Sequence, residues 1–136
     1  MKSYLYHLQI NIDWAHIAFY KDLMAILGWF VIFEKENDVI GYRSEHNGDL
    51  WIVTADQKEQ EDYDAIGLNH IAFRTENIND IKEVEQFLRT QNLSPLFGTP
   101  RHRPEFAPKE DETYYQLIFV SLDNIQFEIV YIGPKN

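Results

Sequence analysis

Two stretches of this chain carry one pattern. The first is Tyr4-Leu5-Tyr6-His7-Leu8-Gln9-Ile10-Asn11-Ile12, and the second is Gly67-Leu68-Asn69-His70-Ile71-Ala72-Phe73-Arg74. Each reads as a short strand with one His near its start, and an amphipathic helical pattern follows each. Each half then closes on another apolar strand, Leu50-Trp51-Ile52-Val53 in the first and Phe127-Glu128-Ile129-Val130 in the second. Internal similarity of this kind decides the fold, because it makes the chain a tandem of one supersecondary unit. It also sets two His and one Glu, all metal-ligand residue types, at matching strand positions.

The pattern extends outward on both sides. Leu8, Ile10 and Ile12 alternate with His7, Gln9 and Asn11, the period of a strand with one packed face. Asp13 is placed to cap a helix on which Ile17, Tyr20, Met24 and Leu27 recur at helical spacing, and Gly28 ends it. Trp29 to Glu36 and Val39 to Ser44 are rich in β-branched and aromatic residues and read as strands around the turn Asn37-Asp38. Asn47-Gly48 signals a hairpin before Asp49 to Ala55. The first module is therefore βαβββ over residues 1–56, and the acidic residues 57–65 read as a linker.

The second module, residues 66–136, repeats this order with one insertion. A strand over 67–75 precedes a helix capped by Asn77 or Asn79, with Ile81, Val84, Phe87 and Leu88 on one face and Asn92 as a left-handed stop. Tyr114 to Leu122 and Ile125 to Ile132 form the last hairpin. Between them, Pro100, Pro104 and Pro108 lie in residues 97–111, with Pro95 just before. That region reads as a long loop after a short strand, and loops of such length are usually functional or disordered. The fold class is α+β in a single domain.

Composition narrows the function. The chain has 136 residues and a formal charge of −10, which argues against nucleic-acid or anionic-membrane partners, since both favour a basic face. There is no cysteine, so any metal must be held by His, carboxylate or water. The longest apolar run, Leu23 to Phe33, is too short to cross a bilayer and contains Gly28. The first residues lack the apolar core of a secretory leader, and a cytoplasmic location is the expectation.

Over nearly its whole length the chain resembles the vicinal oxygen chelate superfamily, which includes glyoxalase I, bleomycin resistance proteins, fosfomycin resistance transferases and extradiol dioxygenases. The resemblance rests on Leu5-Tyr6-His7-Leu8, on Ala18-Phe19-Tyr20-Lys21-Asp22-Leu23 before Leu27-Gly28, on Gly67-Leu68-Asn69-His70-Ile71-Ala72-Phe73, and on Asp123-Asn124-Ile125-Gln126-Phe127-Glu128. The turn Asp123-Asn124 departs from the Asp-Pro-Asp-Gly common in that group. The resemblance implies eight strands curled as a mixed-sheet cup with the helices outside. It implies a divalent metal (Fe, Mn or Zn) held by the first and last strands of both modules. Carried over by position, the ligand places fall on His7, Trp51, His70 and Glu128. An indole cannot ligate, so His7, His70 and Glu128 remain, and three ligands with open positions suit a catalytic ion.

Further residues enter through what the resemblance implies. Glu128 and Tyr115 are candidate proton-transfer groups, with Tyr114 and His102 as alternatives. Trp51, Tyr114 and Tyr115 either line a substrate pocket or simply pack. Gln9 stands where a fosfomycin transferase carries a hydroxyl residue. Arg101, His102 and Arg103 form the only basic cluster, either a solvated loop or a clamp for an anionic substrate. The expected protein is a homodimeric enzyme (lyase, transferase or dioxygenase) acting on a small oxygen-rich molecule. The alternative is a metal-independent binder of the bleomycin-resistance type.

Overall fold

The computed structural model describes residues 1–46 and 48–135. The chain divides into two compact units, Met1–Glu59 and Gln60–Asn136, and each follows the order β-α-β-β-β. Asn47, read above as half of a hairpin turn, lies outside the described residues.

The first unit holds β1 (His7–Ile12), α1 (Ile17–Ile26), β2 (Phe30–Lys35), β3 (Val39–Arg43) and β4 (Asp49–Thr54). The sheet order is β1-β4-β3-β2, with β1 parallel to β4 and the other pairs antiparallel. A parallel pair needs a long crossover, and α1 with the two intervening strands supplies it. The buried apolar side chains of its strands are Ile10, Ile12, Ile40, Tyr42, Leu50 and Ile52. From α1 the buried stripe is Phe19, Tyr20, Leu23 and Met24, whereas Ile17 and Leu27, expected on it, are only half-buried at its ends. Tyr20 and Met24 are buried as expected, and Phe19 and Leu23, one position before each, widen the stripe. Asp13 caps a single 3-10 turn, Trp14–His16, ahead of α1, its Oδ1 accepting from the Ala15 N–H at 3.1 Å. Gly28, at φ +77°, ends the helix as expected, with Trp29 N–H bonded to Met24 O at 3.0 Å. Lys21 ties α1 to β2 through Glu34 at 2.6 Å.

The second unit holds β5 (Ile71–Thr75), α2 (Ile78–Thr90), β6 (Arg101–His102), β7 (Glu112–Val120) and β8 (Gln126–Pro134). Its order, β5-β8-β7-β6 with β5 parallel to β8, is that of the first. The eight strands thus form two four-stranded mixed sheets. Asp80 Oδ2 accepts from the Asn77 N–H at 3.2 Å to start α2. Asn92, at φ 58°, stops it. Ile81, Val84, Phe87 and Leu88 are buried as their spacing predicts. Facing the same side as them are Leu117, Ile129 and a stack in which Phe127 lies 6.0 Å from Phe73 and 5.7 Å from Phe119. Burying a side chain of this kind contributes about 1.5–3 kcal/mol.

Two expectations need correction here. The strand read over 67–75 begins only at Ile71; before it, Asn69 bonds through its carbonyl to Gln126 Nε2 at 3.3 Å and through its side chain to Tyr63 O at 2.8 Å. The proline-rich region does not follow a short strand; it contains one. Pro100 and Pro104 bracket β6, and since proline cannot donate to a ladder, this edge strand has 2 residues where β2 has 6. A 3-10 turn, Pro104–Phe106, follows it. Among the described residues no helix is long and apolar enough to cross a membrane.

Candidate functional site

Strand register makes the internal repeat explicit. Gln9 pairs with Trp51 across β1 and β4, and Ala72 pairs with Glu128 across β5 and β8. Gln9 lies two residues past His7, and Ala72 two past His70. His7 and His70 are therefore equivalent positions, as are Trp51 and Glu128.

In the first unit the Trp51 indole covers its neighbour Gly41, where a Cβ would come within 2.6–2.8 Å of the ring. Phe33 flanks it at 6.2 Å. His7 is exposed beside Tyr6 and pairs in register with Asp49. Asp49 is buried and takes both arms of Arg43, at 2.8 and 2.9 Å. That guanidinium holds its carboxyl below the usual carboxylate range. Gln9 donates to Asn11 Oδ1 at 2.9 Å on the exposed side of β1.

In the second unit, strand alternation turns Phe127 and Ile129 toward α2, and Gln126 and Glu128 to the opposite face. Tyr114 and Gln116, paired with Ile132 and Val130, share that face. Glu128 is 3% exposed. The Tyr114 hydroxyl donates to its Oε1 at 2.6 Å. Burial first, and this carboxylate second, push the Tyr114 phenol up to about 12, so at neutral pH it is a fixed donor. The other oxygen, Oε2, lies 3.1 Å from His70 Nε2. His70 Nδ1 lies 2.8 Å from Asn69 Oδ1. Gln126 Nε2 donates to that same oxygen at 2.9 Å.

These contacts limit what the pair can do. Tyr63 O only accepts, so the Asn69 amide nitrogen faces it and the amide oxygen faces His70. Nδ1 must then be the donor. His70 Nε2 and Glu128 Oε2 are left facing each other, and two lone pairs repel unless a proton or a cation lies between them. A buried carboxylate is also costly without a partner. A divalent ion fits here, since two ligands about 2.1 Å from one ion at right angles stand about 3.0 Å apart. Among the described residues no group of three His, Cys, Asp or Glu side chains is gathered to hold a metal; the second unit supplies this pair.

The arginines divide in role. Arg103 Nη1 donates to Gln116 Oε1 at 2.9 Å and Nε to Glu105 Oε1 at 2.5 Å. Its guanidinium lies 4.8 Å over Phe106, whose ring meets Tyr114 edge-on at 5.5 Å. Arg103 is thus a brace behind Tyr114. Arg101 is exposed and pairs with Gln116, which puts it on the Glu128 face. His102 and Tyr115 pair with each other on the other face of β7, with His102 Nδ1 2.5 Å from Thr113 Oγ1. The structure therefore brings together His70, Glu128, Tyr114, Arg101 and Arg103, and sets His102 and Tyr115 apart from them. Sequence reading passed over Asn69, Gln126, Gln116 and Phe106. Two of these had a signal: Asn69 adjoins His70, and Gln126 shares strand parity with Glu128.

Solved structures share this architecture. A candidate glyoxalase from Bacillus halodurans matches with a TM-score of 0.74 at 24% identity, over 93% of this chain and 94% of that one. A glyoxalase/bleomycin resistance protein from Albidiferax ferrireducens matches at 0.71 and 14% identity, over 93% and 98%. The fosfomycin resistance protein FosX from Listeria monocytogenes matches at 0.64 and 19% identity, over 96% and 91%. No family model matches the chain, and no curated protein does. The fold is that of the glyoxalase, bleomycin resistance and dioxygenase proteins, the vicinal oxygen chelate fold that the sequence resembles.

Proposed function

We propose that this chain is a metal-dependent enzyme of the vicinal oxygen chelate type, acting on a small organic molecule that offers two oxygens. The observation that carries this reading is the pair His70 Nε2 and Glu128 Oε2 at 3.1 Å, with the far ring nitrogen already engaged by Asn69. Second contacts of that kind are characteristic of ligating histidines. His70 and Glu128 would hold Fe, Mn or Zn, and His7, equivalent to His70 in register, is the proposed third ligand. When bound, the ion supplies Lewis acidity toward the substrate oxygens.

The chain's own groups do the rest. Tyr114 donates to Glu128 Oε1 and leaves Oε2 for the ion or for a substrate proton. Arg103 and Phe106 hold Tyr114 in place. Arg101 brings positive charge to the same face and suits an anionic substrate group. The Trp51 indole offers neither ligand nor base at the place equivalent to Glu128, which disfavours glyoxalase I isomerisation and leaves lyase, transferase or dioxygenase chemistry. Both units act as one domain in this reading, and the protein works as a homodimer; light scattering at micromolar concentration tests the latter.

Metal analysis of protein purified without chelator tests the central claim. Stoichiometric divalent metal is expected in the wild type, with large losses in H70A, E128Q and H7A. Metal-free wild type would favour the second reading, a small-molecule binder of the bleomycin-resistance type. The observation behind that reading is Trp51, an aromatic wall where a ligand would stand. Such a binder keeps its ligand affinity in the presence of chelator.

A further inference from the structure

Among the described residues, one buried side-chain polar atom has no hydrogen-bond partner, and it belongs to the side chain that orders the His70 site. Gln126 is 5% exposed. Its amide nitrogen bonds to Asn69 Oδ1 at 2.9 Å and to Asn69 O at 3.3 Å. Its amide oxygen, Oε1, is buried with no hydrogen-bond partner among the described residues. The amide cannot gain by flipping, because a backbone carbonyl such as Asn69 O accepts only. Folding thus leaves a buried acceptor unmet, which is unfavourable. An apolar side chain of similar shape would avoid that cost. The fold gains from Gln126 only what its donor half does, and that half acts on Asn69.

Asn69 is held at three points. Its Nδ2 bonds to Tyr63 O at 2.8 Å, and its Oδ1 takes Gln126 Nε2 at 2.9 Å and faces His70 Nδ1 at 2.8 Å. We infer that Gln126 and Asn69 form a positioning relay that keeps a proton on His70 Nδ1 and aims Nε2 at Glu128, at a cost to the stability of the fold. Neither residue touches the substrate in this scheme; both act through His70. The inference rests on the metal reading above for its purpose, but not for its geometry.

Two measurements on the full chain separate these. In metal-free protein, long-range 15N–1H correlation of the imidazoles should show His70 Nδ1 protonated in the wild type and in N69D, which keeps the accepting oxygen. In N69L and Q126M that signature should become mixed or exchange-broadened. Titration with Zn(II) should then show about 10–100-fold weaker affinity in N69L and Q126M, the range typical when a ligating His loses its outer partner. The melting temperature of Q126M should equal or exceed that of the wild type. Unprotonated Nδ1 in the wild type overturns the relay outright. So does a Q126M protein with unchanged Nδ1 protonation and a lowered melting temperature, the result expected of an ordinary core amide. A wild type with protonated Nδ1 that fails to bind Zn(II) keeps the relay and overturns the metal reading.

Discussion

Trp51 holds the place in its sheet that Glu128 holds in the other. Each sits on the closing strand of a βαβββ unit, directly across from the residue two past a histidine. One unit fills that place with a buried carboxylate bonded to Tyr114. The other fills it with an indole lying on Gly41. A tandem repeat has thus diverged at the position where chemistry would sit. The next strand diverged with it, since Ile118 faces Glu128 while only a glycine fits beneath Trp51.

That contact yields a stability prediction. A methyl at Gly41 would meet rigid ring atoms at 2.6–2.8 Å, so G41A should destabilise by about 1–3 kcal/mol, the usual cost of overpacking. In a W51A background the same change should cost far less. Urea denaturation of the four proteins of this double-mutant cycle measures the coupling. Additive effects would show that the indole does not rest on Gly41.

The titration of tyrosines gives a second. Burial pushes both Tyr42 and Tyr114 up to about 12, with Glu34 adding to the effect at Tyr42 and the bond to Glu128 at Tyr114. Between about pH 10 and 12 the folded protein keeps protons that the unfolded chain has released. Stability from these two groups is therefore fully present below pH 10 and lost as pH rises toward 12. Phenolate absorbance should place Tyr42 and Tyr114 among the late-ionising tyrosines, and Y114F should remove one late transition. If Y114F leaves the late transitions unchanged, Tyr114 is not held by burial and Glu128.

How much of this was readable beforehand depends on range. The alternation of Leu8, Ile10 and Ile12, the stripe Ile81, Val84, Phe87 and Leu88, and the stops at Gly28 and Asn92 are local patterns, and local physics reproduced them. In α1 the spacing found Tyr20 and Met24, which are buried, but not Phe19 and Leu23, which share the buried stripe, because spacing alone does not show how wide a face is covered. The edge strand Arg101–His102 was hidden because Pro100 and Pro104 shorten it below any detectable period. His70 and Glu128 were visible as ligand types through the repeat. Asn69 and Gln126 were not singled out, because their roles are hydrogen bonds across the β5–β8 pairing, a contact 57 residues apart in sequence.

Activity toward the methylglyoxal–glutathione adduct should be weak or absent. The resemblance implies a four-residue metal set for glyoxalase I, and the position of its fourth ligand is filled here by Trp51, which can supply neither charge nor base. W51E would restore the residue type but leave Gly41 exposed beside a charge, so partial gain at best is expected. Robust turnover by the wild type in a standard absorbance assay would break the residue-by-residue argument.

The two arginines should separate in kinetics. Arg103 gives Nε to Glu105 and Nη1 to Gln116 and stacks on Phe106, so its guanidinium is fixed in place as a brace. Its removal should loosen Phe106 and Tyr114 and so lower kcat, since Tyr114 is the donor to Glu128. Arg101 is exposed on the same face through its pairing with Gln116, and no such brace engages it among the described residues. R101A should therefore raise KM or Kd for an anionic ligand about tenfold or more, in the range of one lost charge-assisted bond, and leave kcat and metal content near wild type. Steady-state kinetics on R101A, R103A and the double variant, with metal analysis on each, read the split directly. If R101A matches the wild type with an anionic ligand while R103A alone raises KM, the assignments are reversed. If neither changes ligand affinity, the basic segment between Pro100 and Pro104 serves the sheet edge alone.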